Sequence, residues 1–252
     1  MCGRPQPQRS AQAVVPVGSS LLDNQRLGIL YMLIPSLPFW LRATRRRHRR
    51  VFERIFRENA WGSAESVSGP GSTRERGSML VPDLVNLLTE LGTRTLLDAP
   101  CGDFNWASAI ASAVDMYIGV DIVEELVTRN VRQHGSAGRT FLTCDLTRDP
   151  LPKADLILSR DCLVHFSYAD IQAALRNFRR SGAEYLLTTT FVNRTANRNI
   201  RTGSWRVLNL QAPPFDFPLP LAVVDERCTH SEGIYSDKCL ALWRLGACAA
   251  ER

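Results

Sequence analysis

The stretch Leu96-Leu-Asp-Ala-Pro-Cys-Gly-Asp-Phe-Asn-Trp106 decides the fold. A short apolar run at 95–99 feeds a turn containing Pro100 and Gly102, and a helix-like stretch, Asn105–Val114, follows. Strand, tight turn and helix in that order open a βαβ unit. Further short apolar or β-branched runs stand at 117–121, 140–145, 154–159 and 184–191. Helix-like stretches at Val123–His134 and Ser167–Arg180 lie between them; the second has Ser167 and Asp170 at its start and Gly182 at its stop. This alternation predicts right-handed crossovers and a parallel sheet covered on both faces. Beyond the Pro-rich stretch 212–220, two final strands are expected at 221–228 and 238–245.

Toward the N-terminus, Met79, Leu80, Leu84, Leu87, Leu88 and Leu91 repeat at helical spacing and stop at Gly92, a C-cap residue. A polar loop, 61–73, precedes them. Val51, Phe52, Ile55 and Phe56 predict an amphipathic helix over about 45–59, decorated by arginines. Ahead of it, the apolar run 27–41 is interrupted by Pro35 and Pro38 and followed by Arg42, Arg45, Arg46, Arg47, Arg49 and Arg50. That run falls short of the about 20 residues of a membrane span, and its charge follows the apolar part, unlike a signal peptide. One reading is an interfacial anchor, with Phe39, Trp40 and Leu41 in lipid and the arginines on head groups. Another is translation from Met32. Residues 1–26, rich in Pro, Gln, Ser and Gly, are expected to be disordered. The expected organisation is an extension over 1–44, a helical lead-in with a Ser/Gly loop over 45–92, and the main α/β domain over 93–252.

Of the 252 residues, 44% are hydrophobic and 22% charged, which excludes wholesale disorder and fits one α/β domain with an extension. The net charge of +6 is uneven. Residues 1–60 hold 11 arginines against 3 acids, giving +8; the rest holds 20 basic against 22 acidic residues, giving −2. A basic arm can face nucleic acid, an anionic membrane surface or an acidic partner, or be a solvated tail. The 7 cysteines are odd in number and lack C-x-x-C spacing, so they read as reduced thiols of a cytoplasmic protein, with no metal site.

Three carboxylates mark the ligand. Asp98 ends the first predicted strand, Asp121 the second and Asp145 the third. In open α/β sheets ligands bind beyond the carboxyl ends of the strands, where an acid after the second strand accepts from ribose hydroxyls. Asp145 is placed for an exocyclic amine, so the rim makes an adenosine-sized slot. Dinucleotides want G-x-G-x-x-G to close on a pyrophosphate; here Gly102 stands with Pro100 and Phe104 where further glycines would be, and no P-loop lysine is present. The slot suits an adenosine cofactor without phosphates, and S-adenosylmethionine is one.

The stretch 94–166 resembles the cofactor half of class I S-adenosylmethionine-dependent methyltransferases. F-x-x-I-F-x-x-N-x-W-G, S-x-S-G-P-G-S-T and D-A-P-C-G-D-F-N-W together resemble a bacterial methyltransferase-like group over about 50–245. The resemblance implies a Rossmann-like three-layer α/β/α sandwich with a helical N-terminal lead-in. Its seven-stranded sheet would be mostly parallel, with an antiparallel last strand at the sheet edge matching 238–245. It implies that Asp98, Pro100, Cys101, Gly102 and their neighbours hold the methionine part, Asp121 with Ile122 the ribose, and Asp145 with Leu146 the adenine. Pro100 and Phe104 depart from the family's glycines. The segment Ser159–Phe166 would face donor and acceptor.

Asp161 and His165 stand four apart; if that segment is helical, both face the donor methyl. His165 is either a general base for a hydroxyl acceptor or a histidine packed under the next loop. The loop 66–73, with Gly71, could close over the methionine tail with Trp61 as a wall, or be a plain connector. Arg160, Trp205, Arg206 and Asn209 are candidate acceptor contacts, with Pro213, Pro214 and Phe215 beside them on the 193–220 insertion. Arginines 194, 198, 201 and 206 point to an anionic acceptor. No D/N-P-P-Y/F/W tetrad follows the fourth strand. The expected activity is O- or N-methylation of a small molecule, glycan or lipid by a cytoplasmic enzyme, with membrane-peripheral placement through the basic N-terminus. RNA or protein methylation by way of the arginine helix, and a non-catalytic scaffold, stand as the alternatives.

Overall fold

The sheet is built on strands whose neighbouring residues are buried on opposite faces. A computed structural model describes residues 39–228 and 233–246, with side chains from Arg47 onward. The chain divides into two units, 1–42 and 43–252, and the whole sheet belongs to the second. The expected disorder of 1–26, the translation start at Met32 and the membrane anchor through Phe39, Trp40 and Leu41 fall outside the described residues and side chains. The helix α1 runs Phe39–Arg57, so the boundary expected at residue 44 lies within a helix. α2 is Arg74–Glu90, α3 Glu124–His134 and α4 Tyr168–Arg180. The strands are β1 Thr95–Asp98, β2 Met116–Asp121, β3 Arg139–Thr143, β4 Leu156–Ser159, β5 Tyr185–Phe191, β6 Ala222–Asp225 and β7 Lys238–Arg244.

The sheet order is β3-β2-β1-β4-β5-β7-β6. β1 to β5 are parallel, and β7 runs antiparallel to both β5 and β6. The antiparallel last strand is present but lies between β5 and β6, and β6 takes the edge position expected for it. Leu97 and Ile157 face the cluster that includes Ile171, Leu175 and Phe178 of α4. Leu96, Leu156 and Leu158 face the other, with Leu80, Leu84 and Leu88 of α2. Burial on both faces explains why these strands read as unbroken apolar runs.

The helix expected over Asn105–Val114 is instead two 3-10 turns, Ala107–Ala109 and Ala111–Ala113. Ser108 Oγ donates to the carbonyl of Asn105 at 3.1 Å, and one short helix gains little propagation against its nucleation cost. α2 and α4 have the caps their sequences encode. Thr73 accepts from the Arg76 amide; Ser167 accepts from the Asp170 amide. Among the described residues no helix is long and apolar enough to cross a membrane.

Candidate active site

The carboxyl ends of β1, β2, β3 and β4 lie side by side, so the segments after them form one rim. After β1 the chain turns tightly: the Cys101 amide donates to Val120 O at 2.9 Å, and Gly102 adopts φ +52°. A Cβ on Gly102 would lie 2.1 Å from Ser68 Oγ, so glycine is needed for both φ and space. Phe104 also has positive φ, +57°. Its ring packs against Tyr117 and Phe141 at centroid distances of 4.9 and 5.2 Å. Aromatic packing thus offsets left-handed backbone at a position where the resembling family carries glycine. Asp103 fastens the loop 61–73 to this turn, accepting from Ser66 Oγ and Val67 N at 3.0 Å each and from Ser68 Oγ at 3.3 Å.

A largely apolar cavity opens over the turn. Pro100, Gly102, Asp121, Ile122, Asp145, Leu146 and Trp61 line it, as expected of a common rim. Asp98 and Cys101 do not. Asp98 is buried behind the turn, accepting from the Tyr117 hydroxyl, and burial raises its pKa to about 7. Cys101 is buried, and desolvation pushes its thiol pKa up. Gly71 lies outside the cavity, on a neighbouring recess that also takes in Trp61, Asp161 and His165.

Asp121 Oδ1 accepts from Val123 N at 3.0 Å and Oδ2 from Gly102 N at 3.2 Å. Each oxygen keeps accepting capacity toward the cavity. Burial raises the Asp121 pKa to about 6. Asp145, two residues beyond β3, accepts through Oδ1 from Thr147 N and Oγ1 at 3.0 and 2.6 Å. Its Oδ2 is buried with no hydrogen-bond partner, although Arg148 Nε lies 3.2 Å and His48 Nδ1 3.6 Å away. Burial would raise the Asp145 pKa, but His48 and Thr147 outweigh it and hold the carboxyl below its usual range.

His48 completes this wall and is not among the residues expected from sequence. It stands four and eight residues before Phe52 and Phe56, which also line the cavity, so that spacing was the available signal. His48 bridges Asp145 and, at 3.2 Å from Nε2, Asp170. Burial alone would lower its pKa; the two carboxylates override that and raise it to about 9. Because this lies above the usual 6.5, the stabilisation is full below pH 6.5 and lost as pH rises through about 9. Asp170, held at about 2 against its usual 3.8, adds stability above that range and loses it as pH falls through 2. His48→Gln is therefore expected to lose about 2–3 kcal/mol at pH 6, less than a fully buried pair because Asp170 is partly open to water. Chemical denaturation at pH 6 and pH 10 checks this: the deficit should shrink at pH 10.

After β4 the chain does not form the helix that would pair Asp161 with His165. Asp161 has φ +52°, and a 3-10 turn spans Leu163–His165. The Asp161 amide donates to Thr189 Oγ1 at 2.8 Å. Both side chains nevertheless reach the junction of the cavity and the neighbouring recess. Asp161 Oδ2 accepts from Lys238 Nζ at 2.7 Å. Burial opposes ionisation of Asp161, but Lys238 and Arg160 outweigh it and keep its pKa low. Lys238 Nζ also lies 3.1 Å from Glu226 Oε2, and Arg160 Nη2 reaches the same oxygen at 2.6 Å. Lys238 and Glu226 were hidden in the sequence by the strand readings around them.

His165 Nδ1 is 3.0 Å from the carbonyl of Ser204, which can only accept, so Nδ1 carries the proton and Nε2 is free. Burial lowers the His165 pKa below 6.5, leaving the ring neutral at pH 7. The ring lies 5.1 Å from that of Trp61.

Of the expected acceptor contacts, only Trp205 lines the recess beside Asp161 and His165. Arg160 is consumed by Glu226 and the Gly71 carbonyl. Asn209 donates to Arg194 O at 2.7 Å and accepts from Gln211 N at 2.9 Å, which folds the insertion on itself. Phe215 packs edge-on against Tyr168. Arg194 pairs with Asp237. Arg206 is 1% exposed and donates to the carbonyls of Leu163 and Phe166 at 2.9 and 3.0 Å, and burial lowers its pKa to about 10. It braces the post-β4 turn from behind. Arg206→Met removes the donor to Phe166 O and one of two donors to Leu163 O, which keeps the Phe166 amide, so a loss of about 1–3 kcal/mol is expected, read as a lowered Tm.

Residues 96–183 match a protein family described as a methyltransferase domain. The fold is that of solved methyltransferases. It is similar to 1,6-didemethyltoxoflavin-N1-methyltransferase of Burkholderia thailandensis, with bound 1,6-didemethyltoxoflavin and S-adenosylhomocysteine, at 17% identity. That match covers 83% of this chain and 91% of that one, with a TM-score of 0.54. It is also similar to the N-methyltransferase NodS of Bradyrhizobium japonicum, at 15% identity over 68% of this chain and 94% of that one, TM-score 0.51. Against YcgJ of Bacillus subtilis, 22% identical over 44% of this chain with a TM-score of 0.37, the chain spans half of the other's length. No curated protein matches in sequence. Strand order and these likenesses give the chain the Rossmann-like fold of solved methyltransferases, and the family match spans residues 96–183.

Proposed function

We propose that the protein is an S-adenosylmethionine-dependent methyltransferase acting on a small-molecule acceptor at oxygen or nitrogen. One observation carries the reading. Asp121 and Asp145, at the ends of adjacent strands, flank one apolar cavity over the Gly102 turn, each presenting a carboxylate to it. A carboxylate held ionised by His48 can accept from an exocyclic amine, and the Asp121 oxygens suit a ribose diol. Among the described residues no lysine lines this cavity to hold phosphates. Ile122, Leu146 and Cys144 supply apolar walls suited to a base, and Trp61 and Ser68 close the end toward the acceptor.

When bound, the cofactor supplies a methyl group on a positively charged sulfur to an acceptor that surrenders a proton. The chain's part is to position and to move that proton. In this reading His165 Nε2 accepts it, the commitment of Nδ1 to Ser204 leaving Nε2 unprotonated in the neutral ring. Asp161, anchored by Lys238, offers the junction a fixed hydrogen-bond acceptor. Trp61 holds the imidazole plane and limits water at it.

Calorimetric titration of the full chain with S-adenosylmethionine and S-adenosylhomocysteine tests the reading. Micromolar affinity, about −8 kcal/mol, with no heat from NAD or ATP, is the expected result. A folded protein that binds neither sulfur ligand would overturn it.

A further inference from the structure

Beside the cofactor cavity lies a recess of about 280 Å3 that shares Trp61, Asp161 and His165 with it. We infer that this recess receives an uncharged, flat aromatic or heteroaromatic molecule that turns a hydroxyl or ring N–H toward His165 Nε2. The inference deepens the methyltransferase reading and, for the role of this molecule as acceptor, rests on it.

The walls carry the inference. Phe191, Trp205 and Tyr235 pack edge-to-face around one side, with centroids 6.3, 6.0 and 5.2 Å apart. Trp61, its ring tilted 38° against that of His165, forms another wall. Phe191 is buried, whereas Trp205 is left 40% exposed. A large ring left half in water beside a recess marks a binding surface more than a packing need. Aromatic walls favour a flat ring over an aliphatic one through offset or edge contacts that add to area burial.

Charge separates the remaining choices. An aromatic box can also hold a cation, but here the Lys238 ammonium stands on the wall. An anion finds that ammonium already engaged by Asp161 and Glu226, and Arg160 engaged by Glu226. These four charges sum to zero, so neither sign of acceptor gains an unpaired counter-charge, and either would leave water for a site that does not replace its hydration. The volume lies just under the roughly 300–1,000 Å3 of drug-sized pockets, which limits the guest to a small ring system.

The test uses the full chain with four probes: 2-naphthol, its saturated analogue decahydro-2-naphthol, 2-naphthoate and 2-naphthyltrimethylammonium. Each is titrated with and without S-adenosylhomocysteine. The expected result is that 2-naphthol binds at least tenfold more tightly than the other three. Trp205→Ala combined with Tyr235→Leu, both at the recess mouth, should weaken it at least tenfold while S-adenosylhomocysteine binds as before. Near-UV circular dichroism verifies the variant's fold. No binding of 2-naphthol at millimolar concentration, equal binding of the saturated analogue, preference for a charged probe, or an unaffected double variant would each overturn the inference. Any of these alongside intact S-adenosylhomocysteine binding would leave the methyltransferase reading standing. Selective 2-naphthol binding without S-adenosylhomocysteine binding would keep the aromatic recess and remove the methyltransferase reading.

Discussion

Asp121→Ala is expected to weaken S-adenosylhomocysteine binding at least 100-fold while leaving the protein folded. Hydrogen bonds to a charged acceptor contribute about 1.5–3 kcal/mol each, and the loss of two from a ribose diol corresponds to about 3–6 kcal/mol. The carboxylate also accepts from Val123 N and Gly102 N, so alanine loosens the turn as well. Asp121→Asn separates the effects: it keeps an oxygen acceptor but loses the charge, and an intermediate affinity is expected. The pH dependence carries a second signature. Burial raises the Asp121 pKa to about 6, and a ligand that donates two hydrogen bonds favours the ionised form. Affinity in the unmodified protein should therefore fall as pH drops through about 6 and level off above 7, a dependence that both variants lose. Calorimetry between pH 5 and pH 8 reads both effects. Unchanged affinity in a folded Asp121→Ala protein would remove Asp121 from the cofactor site.

His165→Asn is expected to lower kcat about 10²–10⁴-fold, a barrier increase of about 3–5 kcal/mol, with KM nearly unchanged. Asparagine is chosen because its amide can replace Nδ1–H as donor to Ser204 O while removing Nε2. With the cofactor saturating at every pH, kcat/KM for the acceptor in the parent protein should rise with pH through a pKa below 6.5, because burial favours the neutral ring that accepts a proton, and then stay level through neutrality. The variant should lack that acidic limb. Conversion of an acceptor to its methylated product, followed by the S-adenosylhomocysteine formed with it, is the measurement. A variant retaining a third or more of the rate would make His165 a packing residue under Trp61.

The sequence carried the architecture because strands buried on both faces leave a plain mark. Leu96 and Leu97 point to opposite cores, as do Ile157 and Leu158, so the runs are apolar throughout and their alternation with helices implies a parallel sheet. Strand ends in a parallel sheet share one rim. Asp121 and Asp145 were therefore legible as neighbours from order alone, and Trp61 and Gly102 from the loops that meet them. Other positions depended on contacts between residues far apart in the chain. Asp98 reads like a rim carboxylate, but the Tyr117 hydroxyl, 19 residues on, draws it behind the turn. Arg206 reads like an anion contact, yet it donates to carbonyls about 40 residues earlier. His48 reads as one more basic residue of an arginine-rich helix until Asp145 and Asp170 stand on either side of it. Likewise, nothing local joins Trp61, Phe191, Trp205 and Tyr235; four separate segments bring their rings to one recess. Periodicity and turn chemistry act between near neighbours and so determined the sheet and its carboxylate-bearing rim. Whether a polar side chain faces a ligand or a buried carbonyl depends on which distant group compensates its lost hydration, and only the tertiary structure decided that.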